Sequence, residues 1–492
     1  MSSRLVLVTG ASGYIGGRLV PALLQAGCRV RCLVREPARL ASRSWAERIE
    51  IVAGDVLRPE TLSPALAGVD AAYYLIHGMS EGAEFHRRDL DAARNFGAAA
   101  RADGVRRLIY LGGLGDPTAD LSQHLRSRQA TGQGLREFGP PVTEFRAAVI
   151  VGAGSVSFEM VRNLTERLPL MICPRWVFTR IQPIAIRDVL AYLVAVLDVE
   201  SSVGQVVEIG GADVLSYAAM LEGYARARGL RRLIVPVPVL TPRLSAYWVH
   251  WMTPIPASIA HPLIQGLRNE VVVRHATAGQ LFPSIVPLGY ADAVREALAQ
   301  LEAGQVETSW SDATSRDSGQ VGPTAIALTT QDGMIIERRQ RAVAAAPAAV
   351  YRVFSGLGGR RGWLYANWAW RLRGVLDRMV GGAGLRRGRR HLDQLRTGDA
   401  LDFWRVESAE PGQALRLRAE MRLPGRAWLQ FRCQPVSNGT TLLEQTAYFA
   451  PKGLSGLAYW YLLYPAHALI FSGLIRAIGR RAELAAGDPG TV

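Results

Sequence analysis

The stretch Leu5–Gly17, LVLVTGASGYIGG, constrains this chain more than any other. Leu5-Val6-Leu7-Val8 is a short apolar, β-branched run, the pattern of a strand buried on both faces. Thr9-Gly10 interrupts it, and Gly10, Gly13 and Gly16 follow at three-residue spacing. Ile15, Leu19 and Leu23 then recur one helical turn apart, so a helix with a sheet-facing stripe begins directly after the glycines. Each glycine has its own task. Gly10 allows the tight turn, Gly13 lets backbone approach a pyrophosphate on the first helical N–H groups, and Gly16 lets the helix pack close to the strand. Three glycines alone are a weak signal, but their place after a strand, before a helix and at the head of a long α/β pattern makes them specific. The expected dinucleotide contacts are Thr9, Gly10, Ser12, Gly13, Tyr14, Ile15 and Gly16 of the loop, with Arg35, Asp55, Val56 and Leu75 following later strands. A tight βα turn without a ligand is the alternative use of the same glycines.

Strands and helices alternate from there. Arg29–Val34, Ile49–Ala53, Ala71–Ile76, Arg107–Leu111 and Val142–Val151 read as strands. Helices are expected over Glu84–Asp103 and Gln123–Phe138. This pitch means βαβ units, a parallel sheet and, by the right-handed crossover rule, a doubly wound α/β fold. Arg35 stands directly after the second strand, where an NAD-selective domain offers a carboxylate to the ribose 2′-hydroxyl. An arginine suits a 2′-phosphate instead, so NADP is expected over NAD, with Arg39 in support; a solvated loop arginine is the competing reading. Asp55 is placed to meet the adenine edge or to cap the next turn, and both readings stand at this point. Tyr74 and Tyr110 lie on strands and read as packing residues.

TGASGYIG, LVREP, GDV, LGGLGD, FRAAVIVG and QPIAIRDV together resemble the short-chain dehydrogenase/reductase superfamily. The glycine motif is similar to that of its extended members, and the chain looks most like an atypical subgroup fused to a C-terminal domain of unknown function. The resemblance runs from the first strand to about Leu301 and implies a nicotinamide cofactor and an oxidoreductase. One departure matters. The superfamily uses a Tyr-x-x-x-Lys pair on the helix after the fifth strand, and a Ser or Thr at that strand's end. Here the strand ends Gly112-Gly113, and by spacing His124 stands for the tyrosine and Arg128 for the lysine. Imidazole titrates near neutrality, so His124 is the candidate acid or base and Arg128 the candidate ribose contact. A helix-surface histidine beside a solvated arginine is the plainer reading, and with it a catalytically inactive cofactor sensor or lipid-binding scaffold.

Beyond the sixth strand, helices from Phe158 to about Leu168, Asp188–Leu197 and Leu215–Ala227 resemble the superfamily's substrate lobe. Short strands are expected within Trp176–Ala185 and at Gln205–Ile209 and Ile234–Val237. Tyr247–Ile264 is strongly apolar but broken by Pro254, Pro256 and Pro262, which argues against a membrane span and leaves a greasy pocket wall or ordinary core. Residues 1–302 are expected to form the cofactor-binding domain, 303–325 a polar linker, and 326–485 a second domain.

The second domain restarts with a strand at Met334–Val343 and a helix opened by Pro347. Strands are expected at Leu401–Val406, Ala414–Leu423, Ala427–Cys433 and Thr440–Phe449, then a long apolar helix after Gly453. This order resembles the START-like helix-grip fold, an α+β architecture that cups an apolar ligand between sheet and helix. Leu454–Ile475 has the length and charge-free run of a membrane span, but Pro465 and His467 in its middle favour the closing helix of a soluble domain. Peripheral membrane contact is the lesser reading, with Arg386-Arg387-Gly388-Arg389-Arg390 as candidate headgroup contacts.

Composition sets outer limits. A net charge of +15 favours an anionic partner, whether a phosphate-bearing cofactor or an acidic membrane, and equally fits a general preference for arginine. The basic residues are scattered and carry no nucleic-acid signature, so no nucleic acid is expected. Cys28, Cys32, Cys173 and Cys433 form neither a metal pattern nor a disulfide framework, and no signal peptide is read before Leu5, which fits a reduced, cytoplasmic setting.

Overall fold

The computed structural model describes residues 4–41, 43–76, 83–237, 264–302, 326–331, 334–379, 395–436 and 439–487. The Tyr247–Ile264 segment (apart from Ile264), the 303–325 linker and the Arg386–Arg390 run lie outside them. The chain divides into two compact units, Met1–Asp317 and Ser318–Val492.

Unit 1 begins with β1 (Leu5–Thr9), α1 (Tyr14–Gln25), β2 (Arg29–Val34) and β3 (Glu50–Ala53). It continues with β4 (Ala71–Tyr74), α2 (Ala83–Ala102), β5 (Arg107–Gly113), α3 (Gln123–Phe138) and β6 (Val142–Ala147). After these come α4 (Val156–Arg167), α5 (Ile186–Ala195), β7 (Val206–Ile209), α6 (Tyr217–Ala227) and α7 (Tyr290–Glu302). The seven strands form one parallel sheet in the order β7-β6-β5-β4-β1-β2-β3. Alternate residues of β1 serve two cores. Val6 and Val8 join Leu19 and Leu23 of α1 and Val189 and Leu193 of α5 on one face. Leu5 and Leu7 join Phe96 of α2 and Leu135 of α3 on the other. Burial on both faces is why β1 is apolar at every position from Leu5 to Val8. Tyr74 and Tyr110 are fully buried on this second face, as packing residues.

The sixth strand is shorter than its apolar run. It leaves the sheet at Ala147, and Ile150-Val151 pairs with Ile184-Ala185 in a separate two-stranded ladder. That step carries the chain into a third core, where Phe158 and Val161 of α4 meet Leu221 and Tyr224 of α6 and Val294 of α7.

Unit 2 contains β8 (Ile326–Gln331), β9 (Met334–Val343), α8 (Pro347–Ser355), α9 (Asn367–Met379), β10 (Ala400–Leu401) and β11 (Trp404–Glu410). It ends with β12 (Ala414–Ala419), β13 (Gly425–Pro435), β14 (Thr441–Pro451) and α10 (Gly453–Gly487). The sheet is antiparallel in the order β8-β9-β14-β13-β12-β11-β10. The expected Leu401–Val406 strand is two strands with Asp402 at φ 54° between them, and the expected Ala414–Leu423 strand stops at Ala419. β8 and α9 are additions to the sequence reading. One core, including Ile335, Leu417, Phe431, Phe354, Trp460, Leu474 and Ile478, joins the sheet to α8 and α10. An antiparallel sheet held against a long helix is the arrangement of a helix-grip fold.

Candidate functional site

In the sheet order, β2 and β3 lie to one side of β1 and β4 to the other, so the direction of winding reverses between β1 and β4. Open α/β sheets bind ligands outside the carboxyl ends of the strands at such a point. The glycine loop starts there. Gly10 has φ +69°, and a Cβ on it would stand 2.7 Å from the Leu75 carbonyl oxygen. A Cβ on Gly16 would stand 2.3 Å from the Gly10 carbonyl oxygen, so α1 approaches the loop as closely as only glycine permits. Gly13 differs: among the described residues, a Cβ on it would meet that same oxygen at 3.3 Å and otherwise open space. Gly13 is also the N-cap of α1, without a side-chain cap and without an acidic residue in the first turn. An uncapped helix start under open space fits a pyrophosphate.

The other expected contacts divide. Ser12 and Tyr14 are half-buried in the loop, with the Arg18 guanidinium 4.8 Å from the centre of the Tyr14 ring. Ile15 packs on the core beside α1. The Thr9 hydroxyl donates to the Tyr73 carbonyl (3.0 Å) and accepts from the Leu75 N–H (3.1 Å), so it clamps β1 to β4 at the switch point. Arg35 is exposed at the end of β2 and has no ion pair among the described residues, whereas Arg39 pairs with Glu36 at 3.1 Å. Asp55 caps a turn: its Oδ1 accepts from Leu57 N–H at 3.0 Å, and its own N–H donates to the Thr61 hydroxyl at 3.0 Å. Val56 is buried in the second-face core, and Leu75 is partly buried with its backbone beside Gly10.

His124 and Arg128 lie one turn apart at the start of α3, beyond the carboxyl end of β5. Ser122 caps that helix by accepting from Leu125 N–H. His124 is half-buried. An Arg128 N–H donates to the Leu111 carbonyl at 2.6 Å, while its own carbonyl accepts from the Tyr110 hydroxyl at 2.9 Å. A Cβ on Gly113 would meet Leu125 Cδ2 at 2.9 Å and Arg128 Cδ at 3.2 Å. The space that a Ser or Thr would occupy here is filled from α3.

Beside this edge lies a charged group absent from the sequence reading. Glu144 on β6 is fully buried and is bonded to Arg136 of α3 and, at 2.7 Å, to Arg146 Nε. Arg146 is level with Gly112 of β5 on one side and Glu208 of β7 on the other. Burial lowers the Arg136 and Arg146 pKa values. Glu208 accepts from the backbone N–H of Arg274 at 2.7 Å, and the Arg274 side chain pairs with Asp116 at 2.8 Å. The signal was two opposite charges at period two inside an apolar strand, Glu144 and Arg146, which places both on one face.

Comparison with known proteins bears on both units. A family model described as NAD(P)H-binding matches residues 10–138, and one described as a protein of unknown function (DUF2867) matches residues 331–474. The chain is 29% identical over 241 residues to a ceramide reductase of Caulobacter vibrioides, covering 48% of this chain and 74% of the relative. It is 28% identical over 232 residues to a (4-alkanoyl-5-oxo-2,5-dihydrofuran-3-yl)methyl phosphate reductase of Streptomyces griseus, covering 46% and 74%. Among solved structures, an NADPH-dependent quinone oxidoreductase of Escherichia coli with bound NADPH aligns at TM-score 0.48 and 19% identity, over 59% of this chain and 98% of that one. Unit 1 therefore has a parallel, Rossmann-like sheet, and its residues 10–138 are similar to an NAD(P)H-binding family.

Proposed function

We propose that unit 1 is an NADP(H)-dependent reductase of an apolar carbonyl or enoyl compound. The observation that carries this reading is the uncapped helix start at Gly13, open among the described residues, with Arg35 exposed at the end of the neighbouring strand and without an ion pair among those residues. When bound, NADPH supplies a hydride to the acceptor carbon. The residues of this chain do the rest. Gly10, Gly13 and Gly16 admit the pyrophosphate, and Arg35 pairs with the 2′-phosphate. His124 gives a proton to the reduced acceptor and regains one from water. Arg128, anchored on Leu111, would hold the nicotinamide ribose. Two relatives named as reductases support the reaction class, and the one named for ceramide, an apolar lipid, supports the substrate class. The helix-grip arrangement of unit 2 fits the START-like reading, in which sheet and helix hold an apolar ligand.

The Arg128–Leu111 bond also favours a second reading, a cofactor sensor or lipid-binding scaffold without turnover, because it commits part of the group that would replace the family lysine. NADPH oxidation with extracted lipids separates the two. The reductase reading expects turnover, and a loss of roughly 100-fold in His124→Phe with NADPH affinity unchanged, the scale of one acid–base group. Tight NADPH binding with no turnover, or full turnover in His124→Phe, overturns the assignment.

A further inference from the structure

We propose that the outward faces of α9 and α10 dock unit 2 onto the surface of an anionic lipid bilayer. This inference does not rest on the cofactor reading. On α9, Trp368, Leu372, Val375, Leu376 and Met379 are all exposed, at 71%, 51%, 37%, 48% and 77%. Their spacing of four, three, one and three residues puts them on one face of the helix. The opposite face is held inward: Trp370 stacks on Trp363 with ring centres 4.5 Å apart, and Asp377 is fully buried.

α10 repeats the arrangement. Trp460, Phe471, Leu474, Ile475 and Ile478 fix one face to the core of unit 2. Tyr461, Leu462 and Leu469 point away from it, at 57%, 79% and 61% exposure. Only 33% of the most apolar window of this helix is buried. Arg373 of α9 donates to the Tyr459 hydroxyl of α10 at 3.2 Å, and Trp370 meets Phe471 with ring centres 6.5 Å apart, so the two helices touch through side chains while each keeps an exposed apolar face. Soluble surfaces rarely expose contiguous apolar area of this kind without a partner.

Charge selects the partner. From Ser318 to Val492 there are 24 Lys and Arg against 12 Asp and Glu, a net +12 of the chain's +15. The sole acid of α9, Asp377, is buried with its Oδ1 accepting from Arg422 N–H at 2.8 Å, and no acid occurs in α10 before Glu483. Arg371, Lys452, Arg476, Arg480 and Arg481 are exposed on or beside the two helices. An apolar face rimmed by cations and free of outward acids is the pattern of an interfacial helix on acidic lipid. The residues that seat α10 on the sheet hold it along the surface of unit 2, so the contact is peripheral.

Flotation of the full chain with vesicles tests this. The protein should float with phosphatidylcholine–phosphatidylglycerol vesicles, at least about tenfold better than with phosphatidylcholine alone, and the preference should shrink in high salt. Trp368→Gln/Leu372→Gln/Met379→Gln on α9 should lose this binding, as should the independent pair Leu462→Gln/Leu469→Gln on α10. Val286→Gln, at a 79% exposed site in unit 1, should keep it. Matching circular dichroism and unfolding midpoints show that a variant is folded, and if one set fails to fold the other still decides. The proposal is overturned by equal binding to neutral and anionic vesicles, by unchanged flotation in the folded variants, or by resistance to alkaline carbonate, which marks a spanning helix. Wild-type dimers that dissociate in the variants, without vesicle binding by either, would also overturn it and make this face an interface between copies.

Discussion

The Arg128 guanidinium donates to the Leu111 carbonyl at 2.6 Å, and its methylenes fill the space beside Gly113. The missing hydroxyl residue at the end of β5 and the arginine in place of a lysine are therefore one packing solution. Restoring one without the other has a steric cost. Gly113→Ser should destabilise unit 1 by about 1–3 kcal/mol, the usual range for overpacking, because its Cβ meets Leu125 at 2.9 Å. Urea midpoints of the two proteins check this, and an unchanged midpoint would mean that α3 yields at Leu125.

The three loop glycines should fail differently. A Cβ at Gly16 lies 2.3 Å from the Gly10 carbonyl oxygen, and one at Gly10 lies 2.7 Å from that of Leu75. Gly10→Ala and Gly16→Ala should therefore lower the unfolding midpoint as well as cofactor affinity. The Cβ of Gly13→Val stands 3.3 Å from one backbone oxygen and otherwise in open space among the described residues, so the fold should survive while NADPH binding disappears. Thermal unfolding and calorimetric titration of each variant separate the outcomes. Wild-type NADPH affinity in Gly13→Val would remove the dinucleotide reading at its centre.

His467 gives unit 2 a pH dependence. Burial, with Arg373 in the same direction, lowers its pKa from 6.5 to about 4. Its ring stacks on Phe471 with centres 5.6 Å apart, and its Nδ1 has no hydrogen-bond partner among the described residues. Between pH 4 and 6.5 the unfolded chain binds a proton that the folded one does not, so stability rises with pH through this window and levels off above it. A shift of this size corresponds to about 3 kcal/mol. His467→Phe should flatten that part of the profile of unit 2 unfolding. A slope equal to wild type would assign the acid sensitivity elsewhere.

Much of this was legible in the residues. β2 and α3 fall on their sequence-derived bounds because the apolar end of RVRCLV, Cys32-Leu33-Val34, marks the one and the N-cap Ser122 the other. The glycine loop was legible because each glycine answers a backbone constraint, independent of distant partners. The end of β6 was hidden, since Ala148 and Val149 continue the apolar run after the chain has left the sheet. α9 was hidden because Trp368, Leu372 and Leu376 lie on its outward side, which blurs the stripe that marks a core-facing helix. The role of Asp55 depended on Thr61, a partner six residues away that no local pattern names. Glu144 needed three-dimensional neighbours, because the packing of Gly132 against it and its bond to Arg136 show that α3 is seated on a buried charge.

Cofactor choice rests on Arg35. It follows β2 directly, stands exposed, and has no carboxylate partner among the described residues, while Arg39 is already held by Glu36 through two nitrogens at 3.1 and 3.3 Å. A guanidinium in that position meets a 2′-phosphate with a charge-assisted, two-point contact and gives a 2′-hydroxyl no matching acceptor. Such a contact contributes roughly 1.5–3 kcal/mol, so NADPH should bind about 10- to 150-fold more tightly than NADH. Arg35→Ala should erase that ratio by weakening NADPH and leaving NADH nearly unchanged. Arg39→Ala should change it little. The NADPH advantage should also fall as salt rises, because the contact is exposed. Calorimetric titration of both cofactors into the three proteins decides the matter, and equal wild-type affinities, or a preference for NADH, would show that Arg35 is a solvated loop residue.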